Sequence, residues 1–357
     1  MIKLLTNYKN RLDNELAYFS QYHSYLASGK YRVMLRKKSF FYLVGNESKL
    51  EIKRIIRQYP SPLVNKNLFQ RLKHRVLHLG WHIVIFWYIN KRTVQVHSRN
   101  DSFQGHLIMR LNNKDKVKIF NLETSKILNL LDDFKTVKTI DKIHDLMSDS
   151  FNTTILEVDQ EAQEINEALI DYQPLQFWGE GDVHFVTLKF LTSFRHYLSN
   201  LELNTLDTVS TKELIKSQSK LGNLRLLKEE IIEQNHYRHS WVKVPFHGDL
   251  HYKNILLTED DILMIDFEHV QVKPFVHYVM KMFVQEYVNY RRFNLLEAYF
   301  DGVYNEFIEQ VFTVAETDFD DSNLAYYLLL YLASYKKTTA YNEDLVMYLR
   351  NRYNETH

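Results

Sequence analysis

The spacing of hydrophobic positions changes along the chain from strand-like to helix-like. Apolar and polar residues alternate in the early segments 33–44, 93–96, 105–111 and 117–120, and a period of two is typical of half-buried strands. Later segments have apolar residues three or four positions apart, as on one face of a helix: 182–198, 211–234, 277–290, 294–314, 322–338 and 341–353. The pattern predicts an α+β chain with a strand-rich first part and a helical second part.

One hairpin is predicted between residues 255 and 265. The apolar runs 255–257 and 262–265 flank the polar run 258–261, which is the pattern of two short strands joined by a turn. A hairpin brings its two ends together, so Asp249 and Asn254 before it should lie close to Asp266 after it. Two carboxylates and a carboxamide at one place suit a hard divalent cation and a phosphate.

The order of these three residues fits phosphoryl transfer from ATP. That reaction needs the acceptor hydroxyl to be oriented and relieved of its proton, and it needs Mg²⁺ held against the phosphates. Asp249 is the candidate for the first task, and Asn254 and Asp266 for the second. Gly248 allows a tight turn just before Asp249.

The two motifs that contain these residues resemble a known superfamily. Residues 247–254 read HGDLHYKN and residues 265–268 read IDFE, which is similar to the aminoglycoside phosphotransferases and choline/ethanolamine kinases. The resemblance implies a bilobal protein-kinase-like fold with a small β-rich lobe and a large helical lobe. It also implies ATP and Mg²⁺ as cofactors and a small-molecule hydroxyl as acceptor, on an aminoglycoside, a choline-like alcohol or a sugar.

The resemblance also assigns roles around the catalytic loop. Asp249 would be the catalytic residue, while Asn254, Asp266 and Glu268 would be the metal ligands. His251 would support the loop and is counted with the cofactor-binding residues, and His247 would pack beneath. Family members have an Asp about ten residues after the second motif that braces the loop, and His277 stands near that place here.

The candidate ATP-binding residues of the small lobe lie between 101 and 159. Lys118, in the strand 117–120, resembles the lysine that steadies the ATP phosphates; the alternative is an ordinary exposed strand lysine, since Lys114, Lys116 and Lys118 share one face. A helix over 125–137 should supply its acidic partner, with Glu123, Asp132 and Asp133 open and Asp133 preferred by its distance along the helix. The strand 153–159 would bind adenine through the backbone of Glu157 and Val158. The phosphate-covering loop 101–105 contains the single glycine Gly105.

These assignments divide the chain into three parts. Residues 1–90 are expected to be an extra N-terminal α/β unit without catalytic groups, which could recruit a protein partner. Residues 91–158 would be the small lobe and residues 159–357 the large lobe, with the acceptor region in the C-terminal helices. The acidic run 316–321 either favours a cationic acceptor or simply caps a helix.

Composition excludes some classes of protein. Lys+Arg 45 against Asp+Glu 44 gives a net charge of +1, which argues against a dedicated nucleic-acid binder. The chain has no cysteine, which excludes disulfides and fits a cytoplasmic setting. Its apolar runs are shorter than the roughly 20 residues of a membrane span. The second functional hypothesis is a binding or scaffold protein on a kinase fold, similar to some spore-coat proteins.

Overall fold

The computed structural model describes residues 13–36, 39–44, 93–97, 103–110, 116–131, 133–216, 240–267, 270–333 and 343–356. The chain forms two compact units, one of Met1–Lys138 with Thr154–Ile170 and one of Thr139–Thr153 with Asp171–His357. Strands dominate the described part of the first unit and helices that of the second. The predicted α+β class, with a β-rich part followed by a helical part, is therefore confirmed.

The first unit is built on one sheet. Among the described residues, eight strands are hydrogen-bonded in the order β3-β1-β2-β4-β5-β6-β8-β7, and every neighbouring pair is antiparallel. The strands are β1 (Gly29–Arg36), β2 (Ser39–Val44), β3 (Thr93–Val96), β4 (Leu107–Arg110), β5 (Lys116–Asn121), β6 (Lys126–Leu131), β7 (Ile155–Asp159) and β8 (Glu164–Ala168). Antiparallel pairing needs only short turns, which suits the polar segments between these strands.

One face of this sheet is covered by the N-terminal segment. Val117 and Ile119 in β5 and Leu128 and Leu130 in β6 belong to a buried cluster that also contains Phe19 of the helical segment 13–20. Lys118 lies between Val117 and Ile119, so its side chain points to the opposite face. The period-two pattern of β5 thus places Val117 and Ile119 on the face that packs against the N-terminal segment and Lys118 on the other face.

The described part of residues 1–90 lies in the same compact unit as residues 93–138, whereas the sequence predicts a boundary at residue 90. Strands β1 and β2 lie between β3 and β4 in the sheet. Gly105 also accepts a hydrogen bond from Ala27 and donates one to the carbonyl of Tyr25, both at 2.9 Å. A Cβ at Gly105 would lie 2.3 Å from Ile119 Cγ2, so this glycine is required for close packing. Residues 45–92 lie outside the described residues.

The helix expected over 125–137 is wrong in its first half. Residues 126–131 form β6, and α1 (Phe134–Met147) follows. Ile127, Leu128, Leu130 and Leu131 have helical spacing, but all four are buried because both faces of this strand are covered. A short apolar run does not distinguish such a strand from a helix.

The second unit is mainly helical, with two small sheets. Trp241 lies in an aromatic core, where its ring contacts those of Phe275 and Phe312 at centroid distances of 5.9 and 6.1 Å. The sheets are β13-β10-β9 and β11-β12. The strands are β9 (Thr208–Ser210), β10 (Ser240–His247), β11 (Ile255–Leu257), β12 (Ile262–Met264) and β13 (Val270–Pro274). The helices are α2 (Glu180–Ser199), α3 (Thr211–Lys216), α4 (Phe275–Phe283), α5 (Gln285–Tyr290), α6 (Asn294–Phe300), α7 (Asn305–Val314), α8 (Leu324–Ala333) and α9 (Glu343–Thr356).

Two details of this unit bear on the sequence predictions. Asp320 accepts a hydrogen bond from the backbone N–H of Ser322 at 3.0 Å, so the acidic run 316–321 contributes a cap at the turn that precedes α8. Within the described part of the chain, no helix is both long enough and apolar enough to cross a membrane.

Candidate functional site

The buried ring of His247 links the two motifs by hydrogen bonds to the backbone of each. The residue ends β10, which pairs with β13 so that His247 lies opposite Val270. Its Nδ1 accepts the backbone N–H of Asp249 at 3.1 Å, and its Nε2 lies 2.8 Å from the carbonyl oxygen of Ile265. An Nε2–H tautomer satisfies both bonds. Burial lowers the pKa of His247, opposed by its bond to Ile265 and by the nearby charges of Asp266 and Asp249, so the ring is a neutral brace.

The hairpin brings Asn254 and Asp266 to the same end, as predicted. Ile255 pairs with Met264, and the N–H of Ile265 donates to the carbonyl of Asn254 at 3.0 Å. The side-chain amide of the buried Asn254 donates to the carbonyl of Asp249 at 2.9 Å. These bonds join Asp249 and Asn254 to Ile265, the residue before Asp266, and fix the rotamer of Asn254, since its amide nitrogen is committed.

Asp266 has a left-handed backbone with φ of 66°. Residues other than glycine seldom adopt this conformation, although Asp does so more often than most. Its side chain is exposed, so the left-handed backbone does not serve to bury the side chain. Sparsely populated backbone angles cluster at functional sites, where they aim a side chain.

Asp249 is held as a carboxylate. Its Oδ2 lies 3.2 Å from Nε2 of His251. The hydrogen bond to His251 is the main cause that lowers the pKa of Asp249 to about 2; partial burial opposes it, while the charges of His251, Lys281 and His247 add to it. The side chain is 59% exposed, so it is accessible to an acceptor while remaining ionised near neutral pH.

In the first unit, Lys118 pairs with Glu167. Lys118 Nζ lies 3.1 Å from Glu167 Oε2, and each side chain is 14% exposed. The bond crosses β6, because Lys118 faces Asn129 and Glu167 faces Ile127 on its two sides. The acidic partner therefore comes from β8 and not from the helix that the sequence indicated.

Asp133, the preferred partner of Lys118 in the sequence prediction, caps α1 instead. Its Oδ1 accepts the N–H of Lys135 at 3.0 Å and its Oδ2 accepts the hydroxyl of Thr136 at 2.6 Å. The hydrogen bond from Thr136 is the main cause of the lowered pKa of Asp133. This N-cap explains the residue in full.

The other predicted residues lie in β7, in α4 or outside the described residues. Glu157 and Val158 lie in β7, an edge strand of the sheet, and the exposed Glu157 accepts a hydrogen bond from Asn166 at 3.3 Å. His277 is buried in α4 with its ring against Tyr278 and Tyr331, and burial lowers its pKa well below 6.5. Glu268 and Asp132 lie outside the described residues.

Sequence reasoning missed two carboxylates. Glu167 gives no local signal, because its contact with Lys118 spans 49 residues and depends on strand order. Glu286 lies in the otherwise apolar and amide-rich segment 282–290, yet it is only 1% exposed. A lone acidic residue in such a segment is the signal that could have indicated it.

Comparison with known proteins places phosphotransferases and kinases among the structural neighbours. No family model and no curated protein matches the chain. A thermostable mutant of an aminoglycoside phosphotransferase is similar with a TM-score of 0.42 and 10% identity, covering 69% of this chain and 91% of that one. An aminoglycoside phosphotransferase from Streptomyces rimosus has a TM-score of 0.37, 13% identity and coverages of 63% and 92%. A choline/ethanolamine kinase family protein from Mesorhizobium loti has a TM-score of 0.36, 12% identity and coverages of 70% and 86%. At such identities and TM-scores, the function has to be inferred from the chain's own residues.

Proposed function

We propose that this protein is an ATP- and Mg²⁺-dependent phosphotransferase that transfers the γ-phosphate to a hydroxyl of a small molecule. The observation that carries the proposal is the set of bonds that holds Asp249 and Asn254 beside Ile265, the residue before Asp266. His247 contacts the backbone of both Asp249 and Ile265, and the Asn254 amide donates to the carbonyl of Asp249. Phosphoryl transfer needs an acceptor-orienting carboxylate beside oxygen ligands for a metal, and these residues supply both.

Asp249 would orient the acceptor hydroxyl. A group with a pKa of about 2 is a weak base near neutral pH, since the most effective general bases titrate near the working pH. Transfer through a loose transition state makes little demand on the base before the phosphoryl bond breaks. We therefore assign Asp249 mainly to alignment of the acceptor hydroxyl. The Asp249 carboxylate would accept the proton of that hydroxyl late in the reaction.

Asn254 and Asp266 would hold Mg²⁺. Magnesium in nucleotide sites takes one or two protein carboxylates and completes its shell with phosphate oxygens and water. Asn254 and Asp266 would supply two oxygen ligands, and the nucleotide would bring the rest of the shell with it. Glu268 is retained as a further candidate ligand. When bound, the ion would neutralise charge on the phosphates.

Lys118 would bind the ATP phosphates. Its pairing with Glu167 fixes the ammonium group on the face of the sheet opposite the N-terminal segment. A cation held in this way can meet a phosphate without first ordering a flexible side chain. The backbone of Glu157 and Val158 in the edge strand β7 is proposed for adenine, because an edge strand offers unpaired N–H and C=O groups.

Calorimetry tests the proposal with a matched control. The native protein should bind ATP more tightly with Mg²⁺ than without it, and Asp266→Ala should lose most of this difference. Asp260→Ala removes an exposed aspartate from the turn of the same hairpin and should retain it. ATP binding with no dependence on magnesium in the native protein would contradict the metal role.

An acceptor screen completes the test. ADP release would be measured with aminoglycosides, choline-like alcohols and sugars, which are the acceptor classes of the resembling family. A strong response to one class identifies the acceptor. If the protein binds no nucleotide at all, the alternative of a binding or scaffold protein on this fold replaces the enzyme.

A further inference from the structure

Glu286 is a buried carboxylate in which only one of the two oxygens has a hydrogen-bond partner among the described residues. It lies in α5 and is 1% exposed. Its Oε2 accepts the N–H of Leu295 at 2.6 Å, at the start of α6, where a negative charge complements the helix dipole. Its Oε1 is buried and has no hydrogen-bond partner among the described residues. A buried acceptor without a partner costs about 1–3 kcal/mol, so this oxygen requires an explanation.

Tyr252 has the complementary group. It begins the short 3₁₀ turn Tyr252–Asn254 of the catalytic loop and is fully buried. Its hydroxyl also has no hydrogen-bond partner among the described residues. A phenol is a donor and a carboxylate oxygen is an acceptor, so each group supplies what the other lacks.

Several contacts bring Tyr252 and α5 to the same place. The ring of Tyr252 packs on Trp178 at a centroid distance of 5.3 Å. The hydroxyl of Tyr290, in α5, donates at 2.5 Å to the carbonyl of Leu175, in the same short segment as Trp178. The Tyr252 ring and α5 therefore both pack on the segment 175–178, and Thr187 is a second polar group near the phenol.

Thr187 is the rival partner for the phenol. Its hydroxyl, on the facing side of α2, is fully buried and donates its own hydrogen to the carbonyl of Val183 at 2.9 Å. The Thr187 hydroxyl could therefore only accept a hydrogen bond from Tyr252. Such a bond would leave Oε1 of Glu286 without a donor. A water-mediated link from Tyr252 to Glu286 satisfies both buried atoms at once.

We propose that Glu286 is a positioning residue for the catalytic loop, acting through one buried water that accepts a hydrogen bond from the Tyr252 hydroxyl and donates one to Glu286 Oε1. This link would tie α5 and α6 to the turn that ends in Asn254. Its catalytic consequence rests on the proposed function, because it holds a metal ligand in place. Buried waters typically bridge such pairs of polar atoms.

A double-mutant cycle with two readouts tests this. Tyr252→Phe removes only the hydroxyl, and Glu286→Gln keeps an acceptor for Leu295. Tyr252→Phe should lower the melting temperature of the full-length protein and weaken Mg²⁺–ATP binding about threefold to tenfold, the net value of one hydrogen bond. In the Glu286→Gln background, Tyr252→Phe should lower the melting temperature and the Mg²⁺–ATP affinity by clearly less. In a Thr187→Val background, Tyr252→Phe should lower both by as much as in the native protein.

The alternative results separate the possibilities. A higher melting temperature for Tyr252→Phe would mean that the hydroxyl is unpaired, and coupling to Thr187→Val would identify Thr187 as the partner; either overturns the proposal. Coupling in melting temperature without any change in Mg²⁺–ATP affinity would show a merely structural bond and overturn the positioning role. If the native protein binds no Mg²⁺–ATP, the proposed function and the positioning role fail together, while coupling in melting temperature still decides whether the bond exists.

Discussion

The two charged sites of this protein are assembled in different ways. The Asp249 network comes from one continuous stretch, and its brace His247 contacts a residue only 18 positions away. The Lys118–Glu167 pair joins two strands 49 positions apart across a third strand. The first site has exposed carboxylates on a locally closed hairpin, and the second has a largely buried ion pair that exists only once the sheet has formed.

The difference shows where each site is vulnerable. A local hairpin closes a short loop at small entropic cost, whereas a pair across a sheet depends on every strand between its members. Changes far from Lys118 and Glu167 should therefore disrupt the ion pair, whereas changes within the loop 247–254 should damage the Asp249 site without unfolding the protein.

The largest effect is expected from deletion of residues 1–90. The deletion removes β1 and β2, which lie between β3 and β4, and leaves β3 without its strand partner β1. The remaining sheet should fail to fold, with loss of strand signal in circular dichroism and loss of ATP binding. A truncated protein that retains both would show that the N-terminal segment is dispensable and that the sheet is more local than described.

Asp249→Ala should affect chemistry and little else. The side chain is 59% exposed, so melting temperature should change little, while turnover of an identified acceptor should fall about 10²–10⁴-fold, as for loss of a positioned acid–base group. ATP affinity, measured by calorimetry, should remain near native. Near-native turnover would remove Asp249 from the mechanism.

Gly105→Ala tests the close approach between the N-terminal segment and the sheet. The added methyl would meet Ile119 Cγ2 at 2.3 Å and the carbonyl oxygen of Tyr25 at 3.0 Å, and such overpacking typically costs about 1–3 kcal/mol. Gly181→Ala is the control, since nothing lies within 4 Å of that position in α2. Urea unfolding should show destabilisation for Gly105→Ala and none for Gly181→Ala; equal midpoints would contradict the packing.

Glu167→Gln and Asp133→Ala separate the two candidate partners of Lys118. Loss of the carboxylate at Glu167 removes a charge-assisted hydrogen bond worth about 1.5–3 kcal/mol, less some screening by solvent, and should weaken ATP binding. Asp133→Ala should lower thermal stability slightly through loss of the helix cap and leave ATP affinity unchanged. The reverse pattern in calorimetry would restore the helix as the source of the partner.

The smallest effect is a dependence of stability on pH. Burial lowers the pKa of both His247 and His277 in the folded protein, so below pH 6.5 the unfolded chain binds protons that the folded chain does not. Stability is then unaffected above pH 6.5 and falls as the pH drops below it, by at most about 1.4 kcal/mol per pH unit for each ring. His277→Gln should reduce the slope of unfolding free energy between pH 6.5 and 5.5; an unchanged slope would mean that the ring is protonated in the fold.

The sequence predicted what is local. The hairpin 255–264 and the joining of Asn254 to Asp266 followed from two apolar runs around a polar turn, and the structure has that register. The helix α2 also follows from its own periodicity. Each depends on residues close in the chain, where spacing alone indicates which side chains share a face.

Which distant segments meet depends on the packing of the whole chain. Residues 126–131 look helical by spacing and become a strand because neighbours bury both of their faces. Glu167 becomes the partner of Lys118 through strand order, and β1 and β2 join the sheet through pairing with β3 and β4. Strand order and burial are properties of the whole packed chain, since hydrophobic contact is not directional and any apolar face could cover another. Local periodicity does not contain that choice.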